Sequence, residues 1–384
     1  MNEDSPDLNI PVDFDLESYR FSYPEELLAA SPLDKRDDCR LLVLDRSLGT
    51  VFHEQFHSLP KHLKPGDCLV LNETRVFSCR LVGKKKSGGK AEILLTREIS
   101  PGYWAALGSG FKKGHELIFT GNLTGQIEGL NEDGEYLIRF DREDIQSYME
   151  RNGLPPLPPY ILKKRKFSPA FLAREARACE GISGKDFRHA PVAESSEKND
   201  QESYQTVYAR NLGSIAAPTA GLHFTPELLR EIERQGVFIC RLTLHVGRGT
   251  FKPIVSRDIR RHKMLPEYYH VNLENSRKLK EAQERGGKII AVGTTVVRTL
   301  ETLAKNQNRD GPISEMSGWT DLFVYPGYPL RMASALVTNF HLPESTPLIL
   351  AAAFAGREKL LKIYQEAFLL KYRLFSYGDA MLIL

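Results

Sequence analysis

The amino-acid sequence predicts an α/β (α+β) main domain with a small antiparallel β-barrel domain inserted into it. Three observations lead there. Over the C-terminal part, apolar strand-like runs alternate with stretches of helical periodicity. Between Val76 and about Phe140 the texture changes to short alternating strands separated by Gly, Asn and Asp. Turns bearing Gly, Thr and His follow several apolar runs of the first kind, where a site on a rigid α/β scaffold is built. The expected boundaries are 1–74 with 148–384 for the main domain and 75–147 for the inserted one.

Residues 1–18 read as a loose arm, and EELLAA after Pro24 as a short helix. LLVLDR is a buried strand, and the turn through Asp45, Arg46 and Gly49 makes VFHEQF its hairpin partner. CLVLNETRVF carries another strand towards the inserted domain. There CRLVGK, KAEILLT, YWAALG, HELIFT, LTGQIEGL and EYLIRF alternate as a barrel or a sandwich does. REDIQSYMERNG is a helix stopped by Gly153, and LPPLPPY an extended polyproline stretch. Residues 165–203 stand out: the first part is helical in character, and AESSEKNDQE has the composition of a disordered loop.

The stretch Tyr204–Phe251 organises the main domain. Thr225 is suited to cap a helix with Pro226 at its first position and Leu228, Leu229 and Ile232 as its apolar stripe. Gly236 ends that helix, and VFICRLTLHV follows as a strand running into His245 and Gly247-Arg248-Gly249-Thr250. Beyond it, SRKLKEAQERGG is an amphipathic helix, and KIIAVGTTVVRTLETLAKN a strand, a turn and a helix capped by Thr294 or Thr295. DLFVYPGYPL and ALVTNFHLPEST are read as strands, the second ending in a polar loop. PLILAAAFAG and KLLKIYQEAFLLKY are helices, and LFSYGDAMLIL is a final strand.

At 384 residues, with 41% hydrophobic and 26% charged residues, the composition is that of a soluble protein with a large core. No apolar run is long enough to span a bilayer, and the acidic N-terminus lacks the pattern of a secretory signal, so a cytoplasmic protein without membrane contact is expected. Five scattered cysteines without CxxC spacing point to reduced thiols. A net charge of +3 does not diagnose nucleic-acid binding. The local clusters Lys163-Lys164-Arg165 and Arg260-Arg261 suit phosphate contacts, or are simply solvated surface.

His223, His245 and His341 each follow a strand-like run and precede a Gly- or Pro-containing turn, which suits proton transfer or, equally, a bond to loop backbone. None has a companion at metal-ligand spacing, so no metal is expected. GKKKSGGK and GSGFKKG miss the phosphate-loop registers and read as hairpin turns. Gly293-Thr294-Thr295 lies where a strand meets a helix N-terminus, a place for an anion or ribose hydroxyls, or a plain cap. Arg298 and Glu301 fit either a ligand wall or a helix-surface pair. Asn339, His341 and Glu344 sit between two apolar runs, where a polar loop needs a partner. Tyr377 and Asp379 sit near the C-terminus, Asp379 as a ligand contact or a turn-former.

YQTVYA (204–209), AAPTAGLHFT (216–225), LHVGRGTF (244–251), AVGTTVVRTLE (291–301), TDLFVYPGY (320–328), TNFHLPEST (338–346) and FSYGDAML (375–382) occur in an order and spacing that resemble one family. It is the S-adenosylmethionine:tRNA ribosyltransferase-isomerases of queuosine biosynthesis, and the likeness runs from about Tyr23 to the last residues. The resemblance implies that S-adenosylmethionine is consumed as a ribosyl donor, with no cofactor besides. It implies an acceptor tRNA carrying 7-aminomethyl-7-deazaguanine at the wobble position, and a monomeric enzyme. His223 is then the expected base at C5′ and His341 the acid or adenine contact, with His245 beside them. Thr219, Gly221, Arg248 and Gly249 would shape the donor pocket, with Thr294, Thr295 and Arg298 on its other side. Two positions depart from the family pattern: Leu265 replaces the histidine of a Met-His-x-Glu, and Ser334 an aspartate. The rival readings are a tRNA-binding protein that has lost turnover and an ordinary methyltransferase.

Overall fold

The computed structural model of the chain describes residues 10–166, 200–251, 253–306 and 314–384. Two compact units emerge, the first from 1–74, 206–211 and 218–384, the second from 75–205 and 212–217.

In the first unit, β1 (Arg40–Asp45), β2 (Thr50–Gln55) and β3 (Cys68–Asn72) precede the excursion into the second. In the second unit β5 (Arg80–Lys85), β6 (Lys90–Ser100), β7 (Tyr103–Gly108), β8 (Glu116–Phe119), β9 (Thr124–Leu130) and β10 (Tyr136–Phe140) close into an antiparallel barrel. Closure pairs β10 with β7 and leaves no open edge, which decides for a barrel over a sandwich. Ala91, Ile93, Leu95, Leu117, Ile127 and Ile138 fill it at alternate positions. The helix α1 (Ile145–Asn152) follows, capped by the Asp144 carboxylate on the Ser147 amide. Then comes α2 (Pro159–Lys166), so the polyproline stretch turns helical where Pro159 provides a first helical position. Apart from its first two and last four positions, the 165–203 insertion lies outside the described residues. β4 (Thr74–Val76) and β11 (Asn211–Ser214) make a separate two-stranded sheet.

The first unit resumes with α3 (Pro226–Arg234), β12 (Phe238–Leu244), β13 (Glu267–Val271), α4 (Leu273–Glu284), β14 (Ile289–Val292) and α5 (Thr294–Asn306). β15 (Met316–Thr320), β16 (Ala335–Asn339), α6 (Thr346–Ala355), α7 (Arg357–Leu369) and β17 (Ala380–Ile383) complete it. These strands form a nine-stranded sheet in the order β15-β13-β12-β3-β14-β16-β17-β1-β2. The four central strands β12, β3, β14 and β16 run parallel, and β3, β14 and β16 are buried throughout, as strands covered on both faces must be. One face packs Leu69, Leu71, Ile290, Val292, Ala335 and Val337 against Phe224, Leu228 and Ile232. Thr225 caps α3 by accepting from the Leu228 amide, with Pro226 at the first position as expected.

Three expectations about elements are corrected. Residues 10–18 are not loose: Leu16 N donates to Arg257 O at 2.8 Å and Arg257 pairs with Asp15. EELLAA forms only a 3-10 turn, Glu25–Leu27, because its apolar residues fall too close together for a helical stripe. DLFVYPGYPL is no strand; the strand before it stops at Thr320, where Pro326, Gly327 and Pro329 remove donors and favour turns.

Candidate active site

Chain order against spatial order locates the site. The parallel strands occur in the sequence as β3, β12, β14, β16 but lie side by side as β12-β3-β14-β16. The winding direction therefore reverses between β3 and β14, and ligands of open α/β sheets bind at the carboxyl ends of strands at such a point. Asn72 ends β3 there, and Gly293-Thr294-Thr295 follow β14. His245 follows β12, and Asn339 and His341 lie at the end of β16. Three turns singled out from the sequence, and Asn72 beside them, thus end on one edge of one sheet.

Asn72 ties three of these turns together. Its amide nitrogen donates to Leu244 O at 3.0 Å and Thr295 Oγ1 at 3.2 Å, while its oxygen accepts from Leu244 N and Thr74 N. Gly293 holds a φ of +91°, open to glycine and strained for other residues, and its position for a side chain is 3.7 Å from Ala220 Cβ. That contact brings the Thr219–His223 turn to the N-terminus of α5.

His223 is 4% exposed and fully occupied. Thr219 Oγ1 donates to Asn339 Oδ1 at 2.9 Å, which leaves Asn339 Nδ2 to donate to His223 Nε2 at 2.9 Å and to Phe375 O at 3.3 Å. The ring proton then sits on Nδ1, directed at Cys39 Sγ 3.2 Å away. Burial, reinforced by Arg373 and Arg36, pushes the pKa of His223 down to about 3, and burial keeps the Cys39 thiol protonated.

His341 belongs to the other face of the sheet. Asn339 continues the row of Ala335 and Val337, whereas Thr338 points the opposite way and bonds His341 Nε2 at 2.6 Å. The His341 backbone N–H donates to the Tyr364 hydroxyl, and burial lowers the pKa of His341 to about 3, although the residue as a whole is only half-buried. Its Nδ1 has no partner among the described residues. His223 and His341 therefore flank the end of β16 instead of facing one another.

His245 bonds Thr74 Oγ1 through Nδ1 at 2.8 Å and stacks on Tyr268, with ring centroids 5.9 Å apart. Burial lowers its pKa, and its Nε2 has no partner among the described residues. The loop after it is fixed by Gly247 N donating to Glu267 Oε1 at 2.8 Å. The other oxygen of Glu267 pairs with Arg298, which also donates to Leu322 O and Thr320 O. Arg298 is thus a buried brace behind the His245 loop and not a pocket wall. Glu301 is no surface partner for it either: fully buried, it accepts from the backbone N–H groups of Arg331, Met332 and Ala333.

Further expected residues are committed elsewhere. Asp379 accepts from the backbone of Arg40 at 2.9 Å and of Arg373 at 2.7 Å and from the Arg40 guanidinium, so it locks β17 to β1. Glu344 pairs with Arg20 at 2.9 Å. Tyr377 is buried, and Gly249 and Arg248 lie in the 3-10 turn after His245. Gly221 has a packing reason, since a side chain there would meet the Tyr208 hydroxyl at 2.1 Å. Of the basic residues, Arg165 pairs with Asp200, and Arg260 pairs with Asp258 and lies over the Phe14 ring. Lys163 and Arg261 are exposed. Among the described residues no group of three or more His, Cys, Asp or Glu is placed to hold a metal ion, and no helix is long and apolar enough to cross a membrane.

The family model described as queuosine biosynthesis protein matches residues 16–383. The chain belongs to the queuosine biosynthesis protein family. Its relatives include proteins named S-adenosylmethionine:tRNA ribosyltransferase-isomerase from Acetivibrio thermocellus (42% identical) and Caldanaerobacter subterraneus subsp. tengcongensis (44%), each match covering 95% of this chain and 98% of the relative. A solved structure of an S-adenosylmethionine tRNA ribosyltransferase from Thermotoga maritima is also similar, with a TM-score of 0.50 and 34% identity over 97% of this chain and 100% of that one.

Within this queuosine biosynthesis protein the two departures have local explanations. The Leu265 Cβ lies 3.3 Å from where Gly249 would carry a side chain, so residue 265 lines the turn that follows His245. Ser334 accepts from Ile289 N through its hydroxyl and donates its own N–H to Ile289 O, which keeps β14 and β16 in register. Residues the sequence did not single out are Asn72, Thr74, Cys39 and Glu267. The Asn-Glu-Thr-Arg run after β3 was a visible signal for the first two; the others are made by contacts across long stretches of chain.

Proposed function

We propose that this chain transfers and isomerises the ribosyl moiety of S-adenosylmethionine onto 7-aminomethyl-7-deazaguanine at the wobble position of a tRNA. The products are epoxyqueuosine-tRNA, adenine and methionine. The observation that carries the reading is the convergence of the family's glycine-, threonine- and histidine-bearing turns on the carboxyl edge of β3, β12, β14 and β16. A sulfonium acidifies the neighbouring C5′ hydrogens, so a base there triggers loss of adenine. The acceptor amine attacks the rearranged sugar, and epoxide closure expels methionine. The steps need a base near C5′, a proton source near adenine and little water.

In this reading His245 is the base, because it is held through Nδ1 and keeps Nε2 open. His341, with Nδ1 open, serves the adenine. His223 positions Asn339 and the Thr219–His223 turn, since both its nitrogens are engaged. The amides at the start of α5 suit the methionine carboxylate. Lys163 and Arg261 are the basic residues left for tRNA phosphates.

Product analysis with tRNA bearing the modified base tests the function. Adenine and methionine are expected in equal amounts; S-adenosylhomocysteine would mean methyl transfer, and no product a binding protein. For the base, His245→Gln is expected to lower kcat about 100-fold or more while His223→Gln keeps measurable turnover. Normal turnover of His245→Gln would remove it from the chemistry.

A further inference from the structure

The barrel unit contains a cavity of about 540 Å³ that none of the expected site residues lines. Its wall includes Trp104, which is 6% exposed and whose indole N–H has no acceptor among the described residues. A buried donor left unpaired is uncommon, and such a group lining a cavity points to a ligand that supplies the acceptor. Around it stand Arg75 and Arg97, Glu98 and Glu150, and the Gln146 amide. Arg75, Arg97, Glu98, Gln146 and Glu150 are exposed.

The chemistry of this set narrows the occupant. Two guanidiniums and two carboxylates balance, so a bare phosphate would meet as much repulsion as attraction. An apolar ligand would leave the indole N–H and both carboxylates without partners. A planar group that both accepts and donates satisfies all of them, with an aromatic ring beside it. A nucleobase has that character, and the volume lies in the range of pockets for ligands of that size. Single-stranded RNA is read in this manner, by stacking an unpaired base on an aromatic side chain and bonding its edges.

We propose that this cavity receives one unpaired nucleobase of the tRNA substrate, a contact separate from the reacting nucleotide. The proposal rests on the functional reading above only in taking RNA to be the substrate. Trp104 supplies the N–H and the ring, Arg97 and Arg75 donate at the rim, and the carboxylates accept from the base.

The test uses the full chain with full-length modified tRNA and with S-adenosylmethionine varied separately. Trp104→Phe keeps a ring but removes the donor. Arg97→Ala and Gln146→Ala change exposed rim residues whose side chains have no partner among the described residues, and they decide the question should Trp104→Phe not fold. Each variant is expected to raise the KM and Kd for tRNA about 5- to 20-fold (~1–1.8 kcal/mol), leaving KM for S-adenosylmethionine and kcat within about twofold. Neither Arg97→Ala nor Trp104→Phe should lower the slope of log Kd against log salt by a full unit, because both contacts are with the base and not with phosphate. Unaltered tRNA binding in the rim variants overturns the proposal, as does a rise in KM for S-adenosylmethionine in its place, which would assign the cavity to the donor's adenine. Wild-type enzyme without ribosyl transfer but with tRNA binding weakened by these variants would overturn the functional reading and keep the cavity.

Discussion

A single amide decides much of the site's chemistry. Asn339 accepts from Thr219 and donates to His223, and that orientation makes the imidazole a neutral acceptor. Asn339→Ala leaves Thr219 and the His223 nitrogen without their partner, while the Phe375 carbonyl keeps the Gly378 N–H, and should cost about 2–4 kcal/mol in urea unfolding, since each buried unpaired group costs ~1–3 kcal/mol. Asn339→Asp is more informative. A carboxylate still accepts from Thr219 but cannot donate to Nε2, so His223 must take up a proton there. Its titration by NMR should then move up from the present low value; a titration left where it is would mean that residue 339 does not bond the imidazole. The three histidines were legible because each interrupts the apolar pattern at the end of a strand-like run. Their roles were not, because they are assigned by Asn72, Thr74, Thr338 and Asn339, and which ring nitrogen stays open is a matter of those contacts.

Elements with one strong local signal were readable, and those shaped by neighbours were not. Helix α3 carried its cap, its proline, its stripe and its glycine stop in sequence, and the structure has all four. The barrel strands were readable from their alternation, but closure depends on the pairing of β10 with β7, which no local pattern encodes. Arg298 and Glu301 fitted a ligand wall or a surface pair equally, because three-residue spacing on a helix is ambiguous until the neighbours are known. Arg298 instead braces β13 and the segment after β15 against α5. Its removal alone as Arg298→Ala strands Glu267 and should destabilise by about 3–5 kcal/mol, while Arg298→Met with Glu267→Leu should cost clearly less. Equal losses in urea unfolding would show that the charge pair itself, and not the stranded carboxylate, dominates. The turn at Gly221 makes a second case. The Tyr208 hydroxyl and Thr206 Oγ1 are buried there without partners among the described residues. Tyr208→Phe should therefore keep or raise the melting temperature, and should make Gly221→Ala easier to accommodate. A double-mutant cycle showing no coupling between the two would contradict the 2.1 Å approach.

At the scale of the whole molecule these buried groups appear in its response to acid. His223 and His341 have ordinary pKa values of 6.5, and burial lowers both to about 3. Below about 6.5 the unfolded chain binds protons at these two positions that the folded chain refuses, so stability present above that pH is lost as pH falls towards about 3. The slope reaches about 1.4 kcal/mol per pH unit for each histidine, with the smaller share from His341, which is only half-buried. Asp15, held low by its bond to Arg257, adds its loss only below the ordinary aspartate range. Glu73 acts in the opposite sense, because burial raises its pKa and its contribution fades as pH rises. Between about pH 6 and pH 4.5 the histidines should therefore dominate. Urea midpoints of the intact chain across that interval should fall steadily, His245 adding in the same sense, and His223→Asn should flatten the fall measurably even if it lowers stability at pH 7. A slope unchanged by that substitution would mean that the imidazole at the end of β16 is reached by solvent and protons, and with it the assignment of His223 as a neutral positioning group would go.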